Sequence, residues 1–236
     1  MAAAAPDAHA GRLIVALDTT DLRRAEALAA SVGPSCGLLK LGLEFFLAHG
    51  AAGVRAIRRR PVFLDLKLHD IPNTVAGAVR AVLPLAPRML TVHAAGGGAM
   101  MEAARRAMET AGDGRPLLLG VTVLTSLDAA GLHAVGVAGG PTQQVLRLGR
   151  LAIESGADGL VCSPREIAVL RAALGSRPAL VAPGIRPQGA GPDDQARTMT
   201  PAEAVAAGAD WIVVGRPVTA HADPGGAAAS IVRSLA

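Results

Sequence analysis

The sequence predicts an α/β protein that forms a single (β/α)8 barrel. Eight short apolar runs alternate with helix-like segments from one end of the chain to the other. The runs are almost entirely apolar, as is typical of parallel strands that are buried on both faces. The length of 236 residues is usual for one such barrel, and no Pro/Ser-rich linker divides the chain.

The first half of the chain contains four predicted strand–helix units. Thr20 or Asp21 is expected to cap the first helix, and Pro72 lies at a first-turn position of the third. The predicted units are 13–17 with a helix that ends near 33, 37–41 with 43–59, 62–66 with 72–83, and 89–93 with 99–110.

The second half contains four further units. The segment Thr200-Pro201-Ala202-Glu203 combines an N-cap, a proline in the first turn and a capping-box glutamate, so a helix is expected to begin there. The predicted units are 117–123 with 142–155, 159–162 with 164–174, 179–182 with the helix after Thr200, and 211–214 with a helix that ends near 235. We expect residues 11–236 to form the catalytic barrel and residues 1–10, MAAAAPDAHA, to form a disordered tail.

Composition argues against several classes of protein. No run of 18 apolar residues is present, so no membrane span is expected. The net charge is +4, but the arginines are scattered and aromatic residues make up only 2%, which argues against a nucleic-acid partner. The two cysteines, without a CxxC motif, argue against a disulfide framework or zinc site and favour a reducing, cytoplasmic location.

Lysine is rare in this chain. Only Lys40 and Lys67 are lysines, whereas 21 residues are arginine. Arginine cannot replace lysine where a proton must be given up or a compact ammonium group must fit. The two lysines are therefore candidates for a chemical role.

Polar residues cluster at the predicted carboxyl ends of the strands, where barrel enzymes have their active sites. Side chains alternate along a strand, so Asp65 and Lys67 are expected to point together into the barrel, with Lys40 beside them. Charges in such a cavity must be paired, and a purely structural ion-pair network is the alternative to a catalytic one. The strand-end residues are Asp18, Lys40, Asp65, Lys67, His93, Thr125, Arg186 and Arg216.

The segment DLKLHDIPNT, residues 65–74, closely resembles the signature of the orotidine 5′-phosphate decarboxylase family. The resemblance extends over nearly the whole chain, in the family's order and spacing. It continues through VALD with Asp18, LLKLG with Lys40, TVHA with His93, VTVLTS with Thr125, PGIR with Arg186, DDQ with Gln195 and VGR with Gly215 and Arg216.

This resemblance implies decarboxylation of orotidine 5′-phosphate to UMP without a metal or coenzyme. Lys67 would stand beside C6 of the pyrimidine and protonate it. Asp65 and, from the second subunit of a homodimer, Asp70 would flank the substrate carboxylate. Lys40 would orient the array and contact the ribose together with Asp18. Thr74 would reach across the dimer interface with Asp70.

A phosphate site is expected in the second half of the barrel. Gly215 and Arg216 follow strand eight, where barrels commonly bind phosphate through backbone N–H groups. Arg186 and Gln195 lie on a long loop rich in glycine and proline, which is suited to closing over a ligand. Thr125, after strand five, is expected to contact the substrate, whereas His93 is expected to be a packing or interface residue.

Two other functions remain open. The Asp-x-Lys-x-x-Asp pattern is shared by related barrel enzymes, so a metal-dependent sugar-phosphate decarboxylase or aldol-type synthase is one alternative. The intact DIPNT segment and the lack of an evident cluster of metal-binding carboxylates argue against it. The other is a catalytically silent module that binds a phosphorylated ligand, against which the full set of strand-end polar residues argues.

Overall fold

The structure is a computed structural model that describes residues 9–57, 60–187 and 199–235. Eight parallel strands form a closed barrel in the order β1 to β8, with each strand paired to the next and β8 paired to β1. The strands are β1 Leu13–Ala16, β2 Leu38–Gly42, β3 Val62–Leu68, β4 Met89–His93, β5 Leu117–Val121, β6 Gly159–Val161, β7 Ala179–Ala182 and β8 Trp211–Val214. The predicted (β/α)8 fold is confirmed.

Helices connect the strands and cover the outside of the barrel. They are α1 Leu22–Val32, α2 Leu43–Ala56, α3 Pro72–Val82, α4 Gly98–Glu109, α5 Ala129–Ala134, α6 Pro141–Glu154, α7 Ile167–Leu174, α8 Pro201–Ala206, α9 Arg216–Thr219 and α10 Pro224–Arg233. Asp21 caps α1 by accepting from the Arg24 N–H. Thr200 and Glu203 form the predicted capping box of α8.

Several predicted boundaries were wrong. β3 continues to Leu68 rather than ending at residue 66, so Lys67 belongs to the strand itself. β5 ends at Val121 rather than at 123, and α2 contains a break at Gly50, whose φ is 55°. The short helices α5 and α9 were not predicted, because six and four residues are too few to show helical periodicity.

The interior of the barrel follows from the alternation of side chains along the strands. One set of strand residues packs in the lumen and the other set packs against the helices. On β3, Phe63 lies in the lumen cluster, whereas Leu64 and Leu66 belong to the outer core. The lumen residues are Ile14, Ala16, Leu38, Phe63, Met89, Leu119, Val121, Val161, Val181 and Val213. They close the barrel below the strand ends, where the polar residues begin.

Two similar arginine–aspartate clamps lie at the opposite, amino-terminal end of the strands. Asp158, just before β6, accepts from the Leu118 N–H at 2.8 Å and pairs with Arg115 at 2.7 Å and with Arg105 at 3.1 Å. Asp210, just before β8, likewise accepts from the Leu180 N–H at 2.8 Å and pairs with Arg171.

The two clamps also make equivalent contacts with the backbone. Arg105 donates to the Gly156 carbonyl and Arg171 to the Gly208 carbonyl, and each glycine lies two residues before the clamping aspartate. Each clamp therefore connects three elements: a helix, the strand that follows it and the start of the next strand.

Among the described residues, none of the helices is long and apolar enough to cross a membrane. Residues 1–8 of the predicted tail lie outside the described part of the chain, and Ala10 is buried in the 3-10 turn Ala10–Arg12. The division into a tail and a catalytic barrel stays a prediction.

Candidate active site

A cavity of about 280 Å³ opens at the carboxyl ends of the strands. Its position agrees with the place where barrel enzymes bind their substrates. The charged and polar residues that line it are Asp18, Lys40, Asp65, Lys67, Thr125, Arg186 and Arg216. Its apolar walls come mainly from Phe63, Val121, Val123, Leu124, Val161, Ile185 and Val213.

Four of the charged residues form a continuous array of alternating sign. Lys67 Nζ lies 2.8 Å from Asp65 Oδ2, and Lys40 Nζ lies 3.8 Å from the same oxygen. Lys40 Nζ also contacts Asp18 Oδ1 at 3.0 Å. The Asp65 and Lys40 side chains are only 11% and 12% exposed, so this attraction acts where water screens it weakly.

The backbone of β3 brings this array together. Asp65 and Lys67 share the parity of Phe63, which faces the lumen, so both side chains emerge on the cavity side. The pairing of β3 with β4 shifts register between Leu64 and Leu68. Within this irregular stretch Lys67 adopts a left-handed backbone conformation with φ 47°, which for a residue other than glycine costs on the order of 1 kcal/mol.

Two arginines come to the same cavity from later strands. Arg186 follows β7, and its backbone N–H donates to the Met199 carbonyl at 3.0 Å, which fixes the start of the long loop. Arg216 begins α9 directly after Gly215 at the end of β8, and both residues line the cavity. Gln195 lies outside the described residues. The cavity thus combines two guanidinium groups with the lysine–aspartate array.

Asp70 and Thr74 are placed differently. Neither residue lines the cavity of the single chain, and both are exposed. The Asp70 carboxylate accepts from the Ile71 N–H at 2.6 Å. The sequence-based arrangement, in which Asp70 serves the site of a second subunit, is compatible with this outward position and stays a prediction.

His93 packs beside the array. Its ring stacks on that of His69, with the ring centroids 5.2 Å apart, and its Nδ1 accepts from the Ala95 N–H at 3.2 Å. Burial, together with the neighbouring His69 and Lys67 charges, lowers the pKa of His93. This shift favours the neutral form of the His93 imidazole.

The sequence reasoning missed one polar residue in contact with the array. The Thr91 hydroxyl, on β4, donates to Asp65 Oδ1 at 3.0 Å and accepts from the Lys67 N–H at 2.8 Å. A lone hydroxyl within the otherwise apolar run Met89–Val92, two residues before His93, was the available signal.

The described residues contain no group of three or more histidine, cysteine, aspartate or glutamate side chains that could hold a metal ion. The cavity can therefore offer fixed cations and anions and an apolar wall, but none of the described clusters resembles a metal centre. The closed barrel and the charged cavity at its carboxyl end are together the features of a (β/α)8-barrel enzyme.

Comparison with known proteins narrows this class to one family. The model of the Orotidine 5′-phosphate decarboxylase / HUMPS family matches residues 11–231. The chain therefore belongs to this family, and the resemblance predicted from the sequence is confirmed, as is the assignment as an enzyme of the decarboxylase type.

Individual relatives match over almost their full length. An orotidine 5′-phosphate decarboxylase of Anaeromyxobacter sp. (strain K) is 58% identical over 226 residues, which cover 95% of this chain and 98% of the relative. An orotidine 5′-phosphate decarboxylase of Gluconobacter oxydans is 54% identical over 229 residues, which cover 95% of this chain and 97% of the relative. The crystal structure of orotidine 5′-phosphate decarboxylase from Lactobacillus acidophilus superposes with a TM-score of 0.83 at 34% identity, covering 94% of this chain and 98% of that one.

Proposed function

We propose that this chain decarboxylates orotidine 5′-phosphate to UMP and CO2, the last step of UMP biosynthesis, through its lysine–aspartate array. The observation that carries the proposal is the Lys67 ammonium, held 2.8 Å from Asp65 in the same cavity as Arg186 and Arg216. The relatives that are 54% and 58% identical are both decarboxylases of this substrate, which supports the same reaction here.

The reaction poses a defined electrostatic problem. When the bond between C6 and the carboxylate breaks, its electron pair stays on C6 in the plane of the pyrimidine ring. The π system cannot delocalise that pair, so the negative charge must be stabilised by groups around it. A fixed ammonium in a cavity with apolar walls supplies this stabilisation without reorganising during the reaction.

Lys67 serves as both cation and acid in this proposal. Its ammonium lies beside C6, and after CO2 departs one N–H proton moves to C6, which forms UMP and leaves a neutral amine. Water then returns the proton to Lys67. An arginine could supply the charge but not the proton, since guanidinium does not deprotonate in proteins.

The carboxylates hold the Lys67 ammonium in place. Asp65 forms the direct ion pair, and Lys40 links it to Asp18, which we assign with Lys40 to the ribose. Asp70 and Thr74 reach the site of the other subunit in a homodimer. Ile71 is 67% exposed in the single chain, as expected for a large apolar residue that a second copy would cover.

The phosphate binds at the arginines. Arg186, Arg216 and the backbone N–H groups near Gly215 contact its oxygens, joined by Gln195 from the long loop, and Thr125 contacts the base. Binding energy from the phosphate can be used to orient the base against Lys67.

The array requires no metal or coenzyme in this mechanism. A cytoplasmic location stays a prediction.

The proposed reaction is tested by incubating the purified protein with orotidine 5′-phosphate and following CO2 release and UMP formation with and without excess chelator. We expect equal rates in both cases. Loss of activity with chelator would instead favour the metal-dependent alternative, and absence of turnover would favour a silent binding module.

Lys67→Arg tests the role of the proton. The variant keeps a cation but cannot donate, so turnover should fall by at least about 10²-fold. In D2O the wild-type enzyme should place one deuterium at C6 of UMP. The matched control is Arg88→Lys, the reverse exchange between the same two residue types at a position outside the cavity. It should keep wild-type turnover.

A further inference from the structure

We propose that Thr91 is a positioning residue, whose single hydroxyl orients both members of the Asp65–Lys67 ion pair. The hydroxyl donates to Asp65 Oδ1 at 3.0 Å and accepts from the Lys67 backbone N–H at 2.8 Å. The kinetic consequence rests on the proposed function, whereas the two hydrogen bonds are properties of the protein alone.

The first hydrogen bond selects the orientation of the carboxylate. With Oδ1 held by Thr91, Oδ2 is the oxygen that faces the ammonium groups, at 2.8 Å from Lys67 Nζ and 3.8 Å from Lys40 Nζ. Without the hydroxyl the carboxylate could rotate about its last bond, because that torsion is broad. Thr91 therefore fixes the plane of the Asp65 carboxylate, and with it the direction in which the other oxygen faces the two ammonium groups.

The second hydrogen bond supports an unusual backbone. β3 and β4 pair at Leu64↔Leu90 and again at Leu68↔Val92, so three residues of β3 lie opposite Thr91 alone. The regular ladder is interrupted there, and the Lys67 N–H donates instead to the Thr91 side chain. Since Lys67 has φ 47°, this bond stabilises a conformation that the residue would otherwise avoid.

Because Thr91 is buried, both hydrogen bonds depend on its own hydroxyl. Thr91 is 0% exposed, so water cannot readily replace the lost hydroxyl. The hydroxyl donates its one proton to Asp65, and a lone pair of its oxygen accepts the hydrogen bond from the Lys67 backbone N–H. Thr122 is equally buried at 0% but donates only to the Val161 carbonyl, at 3.2 Å. It therefore offers a matched control.

Variants that differ in one oxygen atom test the proposal. Thr91→Ser keeps the hydroxyl, whereas Thr91→Ala and Thr91→Val remove it. We expect the Ala and Val variants to lose roughly 10–100-fold in kcat for orotidine 5′-phosphate with a smaller change in KM, because the reacting groups are displaced. Thr91→Ser should stay within a few-fold of wild type, and Thr122→Val should retain wild-type kcat.

Equal losses in Thr91→Ser and Thr91→Ala would overturn the proposal, as would wild-type kcat in Thr91→Val. The Ser and Ala pair decides the question even if the valine variant does not fold. If the threonine effect were only structural, Thr122→Val would lower kcat as much as Thr91→Val.

A second measurement does not depend on catalysis. Labelling with ¹⁵N-lysine gives backbone amide signals from only Lys40 and Lys67, because the chain has no other lysine. In Thr91→Ala the Lys67 amide proton should move and exchange faster with solvent, Thr91→Ser should preserve it, and the Lys40 signal should change little. An unmoved Lys67 amide would refute the positioning role. If the wild-type protein showed no decarboxylation, the proposed function would fail while this measurement still decided the role of Thr91.

Discussion

Replacing Asp158 by alanine removes the acceptor shared by Arg105, Arg115 and the Leu118 N–H. The Arg105 and Arg115 side chains are 27% and 25% exposed, so their guanidinium groups can regain water and the loss should be smaller than for a fully buried ion pair. The Leu118 N–H loses a charged acceptor. Together these terms predict a decrease in the free energy of unfolding of about 2–4 kcal/mol at pH 7.

The stabilisation depends on pH in a definite direction. Burial raises the pKa of Asp158, but the hydrogen bonds from Arg115 and Leu118 and the charges of Arg115 and Arg105 outweigh it. The net result is a pKa below the ordinary value of 3.8. A lowered folded-state pKa means that the contribution is present above the unfolded-state value and disappears as the pH falls through the folded-state value. The difference between wild type and variant should therefore shrink below about pH 4.

Urea denaturation followed by circular dichroism, at pH 7 and at several values below pH 4, measures this difference. Glu102→Ala is the control, because the Glu102–Arg106 pair spans 3.6 Å and both side chains are more than half exposed. Its effect should be under about 0.5 kcal/mol. A similar small effect for Asp158→Ala at pH 7, or a difference from wild type that persists unchanged in acid, would refute the reasoning.

Three further perturbations test the site. Asp65→Asn keeps the shape but leaves the Lys40 and Lys67 ammonium groups without their shared anion, so kcat/KM for orotidine 5′-phosphate should fall by at least about 10²-fold; a near-normal value in steady-state assays would contradict the array. Arg216→Ala should lower kcat/KM for that substrate at least about tenfold, whereas orotidine, which lacks the phosphate, should be converted at an unchanged rate. Equal losses for both substrates would place Arg216 away from the phosphate. Burial raises the pKa of Cys36 to about 11 against the opposing charge of Arg60, and burial also raises the pKa of Cys162. A chromogenic disulfide reagent at pH 8 should thus label neither thiol until the protein is unfolded, and rapid labelling of the native protein would disprove this.

Much of the fold follows from local patterns in the sequence. Runs of aliphatic residues without alternation predict strands covered on both faces, and eight of them in succession predict closure. The period of two along β3 correctly places Asp65 and Lys67 at one cavity with Lys40. These inferences succeed because each depends on the chain's local geometry.

Other features depend on how distant segments meet. The contact of Thr91 with the Lys67 N–H exists only because the pairing of β3 and β4 shifts register, which no strand pattern shows. The clamps at Asp158 and Asp210 join residues up to 53 positions apart. The triplet Gly-Ala-Asp, which precedes both β6 and β8, was the available sign of their similarity.

The location of the only two lysines has a practical consequence for covalent chemistry. Outside the amino terminus, the chain has no primary amines except Lys40 and Lys67, and both lie in one cavity. The remaining cationic side chains of the chain are arginines, which amine-selective acylating reagents leave unmodified. Apart from the amino terminus, such a reagent is therefore directed to this one cavity, and a nucleotide that fills the cavity should protect both lysines from it.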